Sequence, residues 1–67
     1  MEYTNSQIRD LIKEHIHNAI DRKMVYLRLV DGLTFEKIGE EVKLDVKTVR
    51  KRIHKCEDVL FRHIPDN

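Results

Sequence analysis

The sequence predicts a small all-α domain with four helices, a helix-turn-helix and no wing. Apolar residues recur at spacings of three and four, which is typical of amphipathic helices. No segment alternates apolar and polar residues as a half-buried strand does. The 2 Gly and 1 Pro are also too few to form the turns between many short strands. The 67 residues suffice for one domain, residues 1–67, with a thin core.

The first half of the chain contains two helical segments. The first covers about residues 6–19, and Asn5 or Ser6 is expected to cap its free amides. The second begins near Asp21 and ends before Gly32, a residue type that readily adopts the left-handed conformation found at helix ends. The apolar stripe of the first segment consists of Ile8, Leu11, Ile12, Ile16, Ala19 and Ile20.

The second half contains two segments joined by a three-residue turn, which is the helix-turn-helix arrangement, here over residues 34–53. Thr34 caps the third segment and Asp45 the fourth, which continues to about Arg62 and would be about 25 Å long. Gly39 has no side chain and lets the fourth helix cross closely over the third. The side chains expected to pack at this junction are Phe35, Ile38, Val42, Leu44, Val49 and Ile53.

The formal net charge of +1 predicts no partner by itself, but the charges are unevenly distributed. Residues 43–55 carry +5, because six cations are opposed only by Asp45, and the rest of the chain carries −4. Such a block focuses a positive field on one surface and favours a nucleic-acid partner, although a merely solvated helix face has the same composition. The six cations are Lys43, Lys47, Arg50, Lys51, Arg52 and Lys55.

Nothing in the sequence predicts an enzyme, a cofactor or a metal site. There is no nucleophile–His–acid spacing and no Gly-rich phosphate loop. His15 and His17 would point about 200° apart on a helix, with no further ligand to complete a metal site. Cys56 is the only cysteine and is expected to be a small apolar core residue.

A cytoplasmic protein without a membrane partner is expected. One cysteine cannot form an internal disulfide, which is typical of reducing compartments. No apolar run approaches the roughly 18 residues that span a bilayer. The first five residues also lack the basic-then-apolar order of a secretion signal.

The junction reads Asp31-Gly32-Leu33-Thr34-Phe35-Glu36-Lys37-Ile38-Gly39 and then Asp45-Val46-Lys47-Thr48-Val49-Arg50. These residues resemble the region 4 helix-turn-helix of sigma-70-type transcription factors, and the resemblance covers about residues 21–60. It implies a small helical bundle whose last helix enters the major groove of promoter DNA. It also implies a free-standing transcriptional regulator of a kind often encoded by phages, located at the nucleoid of a bacterial or phage-infected cell.

The chain departs from that family at three places. Lys43 stands where the family usually has glycine, at a position expected to need a positive φ, which costs a lysine roughly 1 kcal/mol. Lys37 stands where a glutamate often completes a capping box with Thr34. No segment resembles the part of a sigma factor that melts the promoter, so a complete sigma factor is not expected.

The central candidate contacts follow from placing successive residues of the fourth helix 100° apart. Its apolar face consists of Val49, Ile53, Cys56 and Leu60. Its opposite face presents Lys47, Lys51 and His54, flanked by Arg50 and Lys55. The N-terminal part of such a helix reads base edges. Lys47, Arg50 and Lys51 are therefore the predicted central contacts, and the planar fork of Arg50 suits guanine O6 and N7.

Further candidates surround this centre. Thr48 and His54 are secondary base contacts, and Val46 either meets a thymine methyl or closes the edge of the core. The groups placed for phosphate, which sets register and carries no sequence information, are Lys37, Lys43 and the amides near Thr34.

Two functions remain open from the sequence. The basic surface favours a sequence-specific regulator that binds double-stranded DNA. The alternative is a protein-interaction module that binds RNA polymerase or a transcription factor without reading DNA, since sigma region 4 surfaces also contact polymerase.

The oligomeric state is open as well. The first segment has more apolar residues than a three-helix core needs, and Phe61 and Ile64 rotate away from the apolar face of the fourth. Either the first helix packs over the fourth, or the chain forms a homodimer. A homodimer would bind a palindrome whose halves lie one helical turn, about 34 Å, apart.

Overall fold

The computed structural model describes residues 3–62, and within that range it contains four α-helices and no strand. They are α1 (Asn5–His15), α2 (Ala19–Leu29), α3 (Phe35–Val42) and α4 (Val46–Arg62). The predicted all-α class is confirmed, as are the starts of the third and fourth helices.

The cap of α1 differs from the predicted one. Thr4, rather than Asn5 or Ser6, is the N-cap residue. Its Oγ1 accepts a hydrogen bond from the amide of Gln7 at 3.1 Å, and Gln7 Oε1 accepts one from the amide of Thr4 at 2.8 Å. This reciprocal pair is a capping box, in which two otherwise unsatisfied amides are bonded at once.

The predicted boundary between α1 and α2 is also wrong. The helix expected over residues 6–19 ends at His15, and the backbone of Ile16 is extended (φ −109°, ψ 116°). The second helix begins at Ala19 rather than near Asp21, because Asn18 Oδ1 accepts from the amides of Ile20 and Asp21 at 2.9 and 3.1 Å. Asn18 therefore starts a new helix where the apolar stripe suggests continuation.

A side chain of α2 completes the end of α1. The Arg22 guanidinium donates to the carbonyl oxygen of Ile16 and, at 2.8 Å, to that of Lys13. The last carbonyls of a helix have no partner within it, so Arg22 satisfies groups that would otherwise depend on water.

The turn between α3 and α4 contains the expected positive φ. Lys43 has φ 60° and ψ 43°, the only left-handed residue other than glycine within residues 3–62. Its amide and that of Leu44 both donate to the carbonyl oxygen of Gly39. A lysine in this conformation costs roughly 1–2 kcal/mol relative to a right-handed one.

Gly39 is tightly packed, but the close contact is not with α4, as predicted, but with the turn. A Cβ built on Gly39 would lie 2.7 Å from the carbonyl oxygen of Leu44 and 3.7 Å from Cγ2 of Val49. The contact that excludes a side chain is therefore made by the turn, which folds back on α3. With Val49 of α4, the same Cβ would make only an ordinary van der Waals contact.

The core consists of two buried clusters that share α2. In the first core cluster, α1 packs over α2 and the C-terminal half of α4, through Ile12, Ile16, Val25, Cys56 and Leu60. In the second core cluster, α2, α3 and the N-terminal half of α4 meet through Met24, Ile38, Val49 and Ile53. The four predicted inward positions of α4 are all buried.

The packing of α1 explains most of its apolar stripe, in agreement with the first of the two alternatives. Ile8 and Leu11 of α1 also pack against the first core cluster. Phe61, by contrast, is 56% exposed, and Ile64 lies outside the described residues. The homodimer stays a prediction.

None of the helices within residues 3–62 is long and apolar enough to cross a membrane.

Candidate nucleic-acid interface

The outward side of α4 is cationic. We call this surface the basic face; it comprises Lys47, Arg50, Lys51, His54 and Lys55 of α4, with Lys43 on the preceding turn. All six side chains are exposed, whereas the apolar positions Val49 and Ile53 of the same helix are fully buried. The helical periodicity therefore separates the two kinds of residue as predicted.

Arg52 does not belong to the basic face, although the count of charges over residues 43–55 includes it. Its Nε lies 2.8 Å from Oδ1 of Asp21, and the two side chains are 32% and 20% exposed. This ion pair joins α4 to α2 on the side away from the basic face. One of the six predicted charges is thus paired with an anion, and it links α4 to α2.

The N-terminus of α4 is capped by Asp45. Its carboxylate accepts from the Thr48 hydroxyl at 2.5 Å and from the Thr48 amide at 3.3 Å. These two hydrogen bonds, the hydroxyl first, hold the pKa of Asp45 below its usual value. The cap is therefore present at neutral pH and is lost as the pH falls through that lowered pKa.

The cap changes what Thr48 can offer to DNA. The hydroxyl proton of Thr48 is engaged with Asp45, so only its oxygen remains to accept a hydrogen bond from a base. Val46 in the same turn is half-buried, and it is not among the residues that pack against either core cluster.

The candidates placed for phosphate lie at the start of α3 and at the turn. Thr34 Oγ1 accepts a hydrogen bond from the amide of Lys37 at 3.1 Å, so Thr34 caps α3 as predicted. Lys37 Nζ lies 4.0 Å from Oε1 of Glu40, and both side chains are more than half exposed. An exposed pair of this kind is weak and leaves Lys37 able to reach another anion.

An aromatic contact that the sequence does not reveal lies at the edge of the basic face. The ring of Phe35, expected only as a core residue, has the guanidinium carbon of Arg50 5.6 Å from its centroid. The ring of His54 meets it edge-on, with centroids 5.9 Å apart. On the α2 side, the guanidinium carbon of Arg28 lies 4.4 Å from the same centroid. No spacing along the chain indicates this contact, because its members lie on three different helices.

A second cationic surface lies elsewhere on the molecule. An open groove of about 430 Å³ between α1 and α2 is lined by Arg9, Ile12, Lys13, Arg22, Lys23 and Tyr26. Arg9 lies over the Tyr26 ring at 5.5 Å and donates to its hydroxyl at 3.1 Å. The groove contains no residue of α4, so it provides an internal comparison for the basic face.

The side-chain types that bind metals do not form a site in the described part of the chain. Among residues 3–62 there is no set of three or more His, Cys, Asp or Glu side chains arranged to hold a metal ion. Cys56 is buried, as predicted. Burial, with the nearby Asp21 carboxylate, raises the pKa of its thiol, so the thiol is protonated at neutral pH.

No protein-family model matches this chain, and comparisons with curated proteins and with solved structures also find no match. The relation to sigma region 4 therefore stays a prediction from the residues quoted above.

Proposed function

We propose that this protein is a sequence-specific transcriptional regulator that binds double-stranded DNA, with α4 as its major-groove recognition helix. The observation that carries the proposal is the separation of residues on α4. Five cationic or titratable side chains of one helix are exposed together, and its apolar side is buried. A major groove about 12 Å wide admits such a helix.

The roles of the side chains follow from their chemistry. Arg50 donates two parallel hydrogen bonds and suits O6 and N7 of guanine, while Lys47 and Lys51 reach base edges or phosphates on either side of it. Lys43 and Lys37 neutralise phosphates, which fixes the register of α4 without selecting a sequence. Under this proposal the protein acts at the nucleoid, in the cytoplasm of a bacterial or phage-infected cell.

Oligomerisation would strengthen binding. One recognition helix contacts few base pairs, and a single small module buries little surface for tight specific binding. Two copies related by a twofold axis would read two half-sites. We therefore include a homodimer on DNA in the proposal.

A second candidate function is supported by the far end of α4. Phe61 is exposed beside an apolar cavity of about 160 Å³, whose lining includes Leu11, Leu29 and Leu60. An exposed aromatic next to an apolar cavity suits a protein partner, for which RNA polymerase is the candidate.

A salt titration distinguishes the two functions. Binding of the full chain to a labelled duplex is measured by fluorescence anisotropy at increasing salt. Three to four phosphate contacts give a log–log slope between about −2.7 and −3.6, so the affinity falls roughly 40- to 150-fold between about 50 and 200 mM salt. Absent or salt-independent binding to duplexes, with intact binding to purified RNA polymerase, would reject the DNA proposal in favour of the second function.

A further inference from the structure

Side chains from three helices meet at the ring of Phe35. Arg28 comes from α2, Phe35 begins α3, and Arg50 and His54 come from α4. Both guanidinium carbons lie within 6 Å of the ring centroid, the distance at which an aromatic ring attracts a cation. Phe35 therefore holds Arg28 beside the basic face, although Arg28 is not part of the recognition helix.

The two arginines have no anionic partner within residues 3–62. The ion pairs found there join Arg52 to Asp21 and Lys37 to Glu40, and they include neither Arg28 nor Arg50. Both guanidinium groups are positively charged and lie against the same ring. An anion that approaches this part of the surface would be attracted by both.

The orientation of Arg28 is fixed and leaves donors free. Its Nη1 donates to the carbonyl oxygen of Leu33 at 2.9 Å, so the guanidinium is held both by this hydrogen bond and by its contact with Phe35. A guanidinium has five N–H donors in a rigid fork whose geometry matches phosphate. One donor is used by Leu33, and the side chain is only half-buried.

We propose that Arg28 binds a backbone phosphate of the DNA, next to the base pair that Arg50 reads, and that Phe35 positions both arginines. The inference rests on the proposed function and adds to it a contact from α2. It assigns different roles to two arginines on one ring, since a phosphate contact contributes affinity and salt dependence, and a base contact contributes sequence preference.

The test compares Arg28→Gln with Arg28→Lys and with Arg9→Gln in the full chain. Arg9 is the matched control, because it also lies over an aromatic ring but in the α1–α2 groove. Arg28→Gln is expected to weaken binding to every duplex by roughly tenfold at about 0.1 M salt and to reduce the magnitude of the salt slope by about one. The base preference obtained by selection from random duplexes is expected to stay unchanged.

Arg28→Lys keeps the charge and is expected to retain the salt slope of the parent, while Arg9→Gln is expected to change neither slope nor affinity. A parent that binds DNA with a steep slope, together with an Arg28→Gln slope equal to that of the parent, would overturn this inference and leave the proposed function intact. Equal losses in Arg28→Gln and Arg28→Lys, accompanied by lowered melting temperatures, would overturn it in favour of a structural role for Arg28. A parent that binds no duplex would reject the proposed function itself.

Discussion

Gly39→Ala is expected to lower the free energy of unfolding by about 1–3 kcal/mol, the usual effect of inserting atoms into a packed site. The new Cβ would lie 2.7 Å from the carbonyl oxygen of Leu44, which is backbone and cannot rotate away. The turn would have to move, and with it the hydrogen bonds that the amides of Lys43 and Leu44 donate to Gly39. A domain of this size has roughly 3–10 kcal/mol of stability in total, so the loss is a large fraction.

The sign of this effect is informative, because elsewhere in a helix the same change stabilises by about 1 kcal/mol. Urea unfolding followed by circular dichroism measures it. Gly32→Ala is the control: nothing lies within 4 Å of the position its new methyl group would take, and only its φ of +69° opposes the substitution. Gly32→Ala therefore reports backbone strain alone, about 1 kcal/mol. If Gly39→Ala is as stable as the parent or more stable, the turn does not pack on α3 as described.

Arg50→Ala is expected to remove the preference for one base pair of the binding site, by about 1–3 kcal/mol or roughly 5- to 150-fold in relative affinity. The reason is the position of Arg50 on the exposed side of the second turn of α4, with its guanidinium beside Phe35. Affinity for unrelated duplexes should fall much less, since phosphate contacts supply most of it.

Selection from random duplexes, carried out in parallel for the parent, Arg50→Ala and Arg9→Ala, measures this preference. Arg9→Ala removes an arginine from an aromatic ring outside α4 and is expected to select the same sequence as the parent. An unchanged sequence from Arg50→Ala would mean that Arg50 does not read a base.

The part of the fold predicted best from sequence is the helix-turn-helix. The 100° spacing of α4 separates Val49 and Ile53 from Lys47 and Lys51, and residue types at the caps mark where α3 and α4 begin. The positive φ of Lys43 is expected from the resemblance, in which glycine usually stands at this position, and the structure has it there.

The boundary between α1 and α2 is not predictable from apolar periodicity. Ile16 and Ile20 continue the stripe at helical spacing, so the pattern extends the first helix to about residue 19 and places the boundary too late in the chain. The break depends on Asn18, which caps α2, and on Arg22, which satisfies the carbonyls at the end of α1 from the next helix. The second of these is a tertiary contact and has no signature in a local window.

The charges of the site are only partly predictable. Counting residues 43–55 assigns Arg52 to the cationic surface, because a count of charges does not include Asp21 on another helix. For the same reason, the count does not predict that Arg28 belongs near this surface. Arg28 lies 22 positions before Arg50 in the sequence, and both contact the ring of Phe35.

The central claim is that the basic face of α4 enters the groove of a DNA duplex. Heteronuclear NMR of the full chain, titrated with the duplex obtained by selection, tests this most directly. We expect the largest changes in chemical shift at Lys47, Arg50, Lys51 and His54, with small changes in the α1–α2 groove. Changes concentrated at Arg9, Lys13 and Lys23, or no changes on α4 at saturating DNA, would contradict the claim.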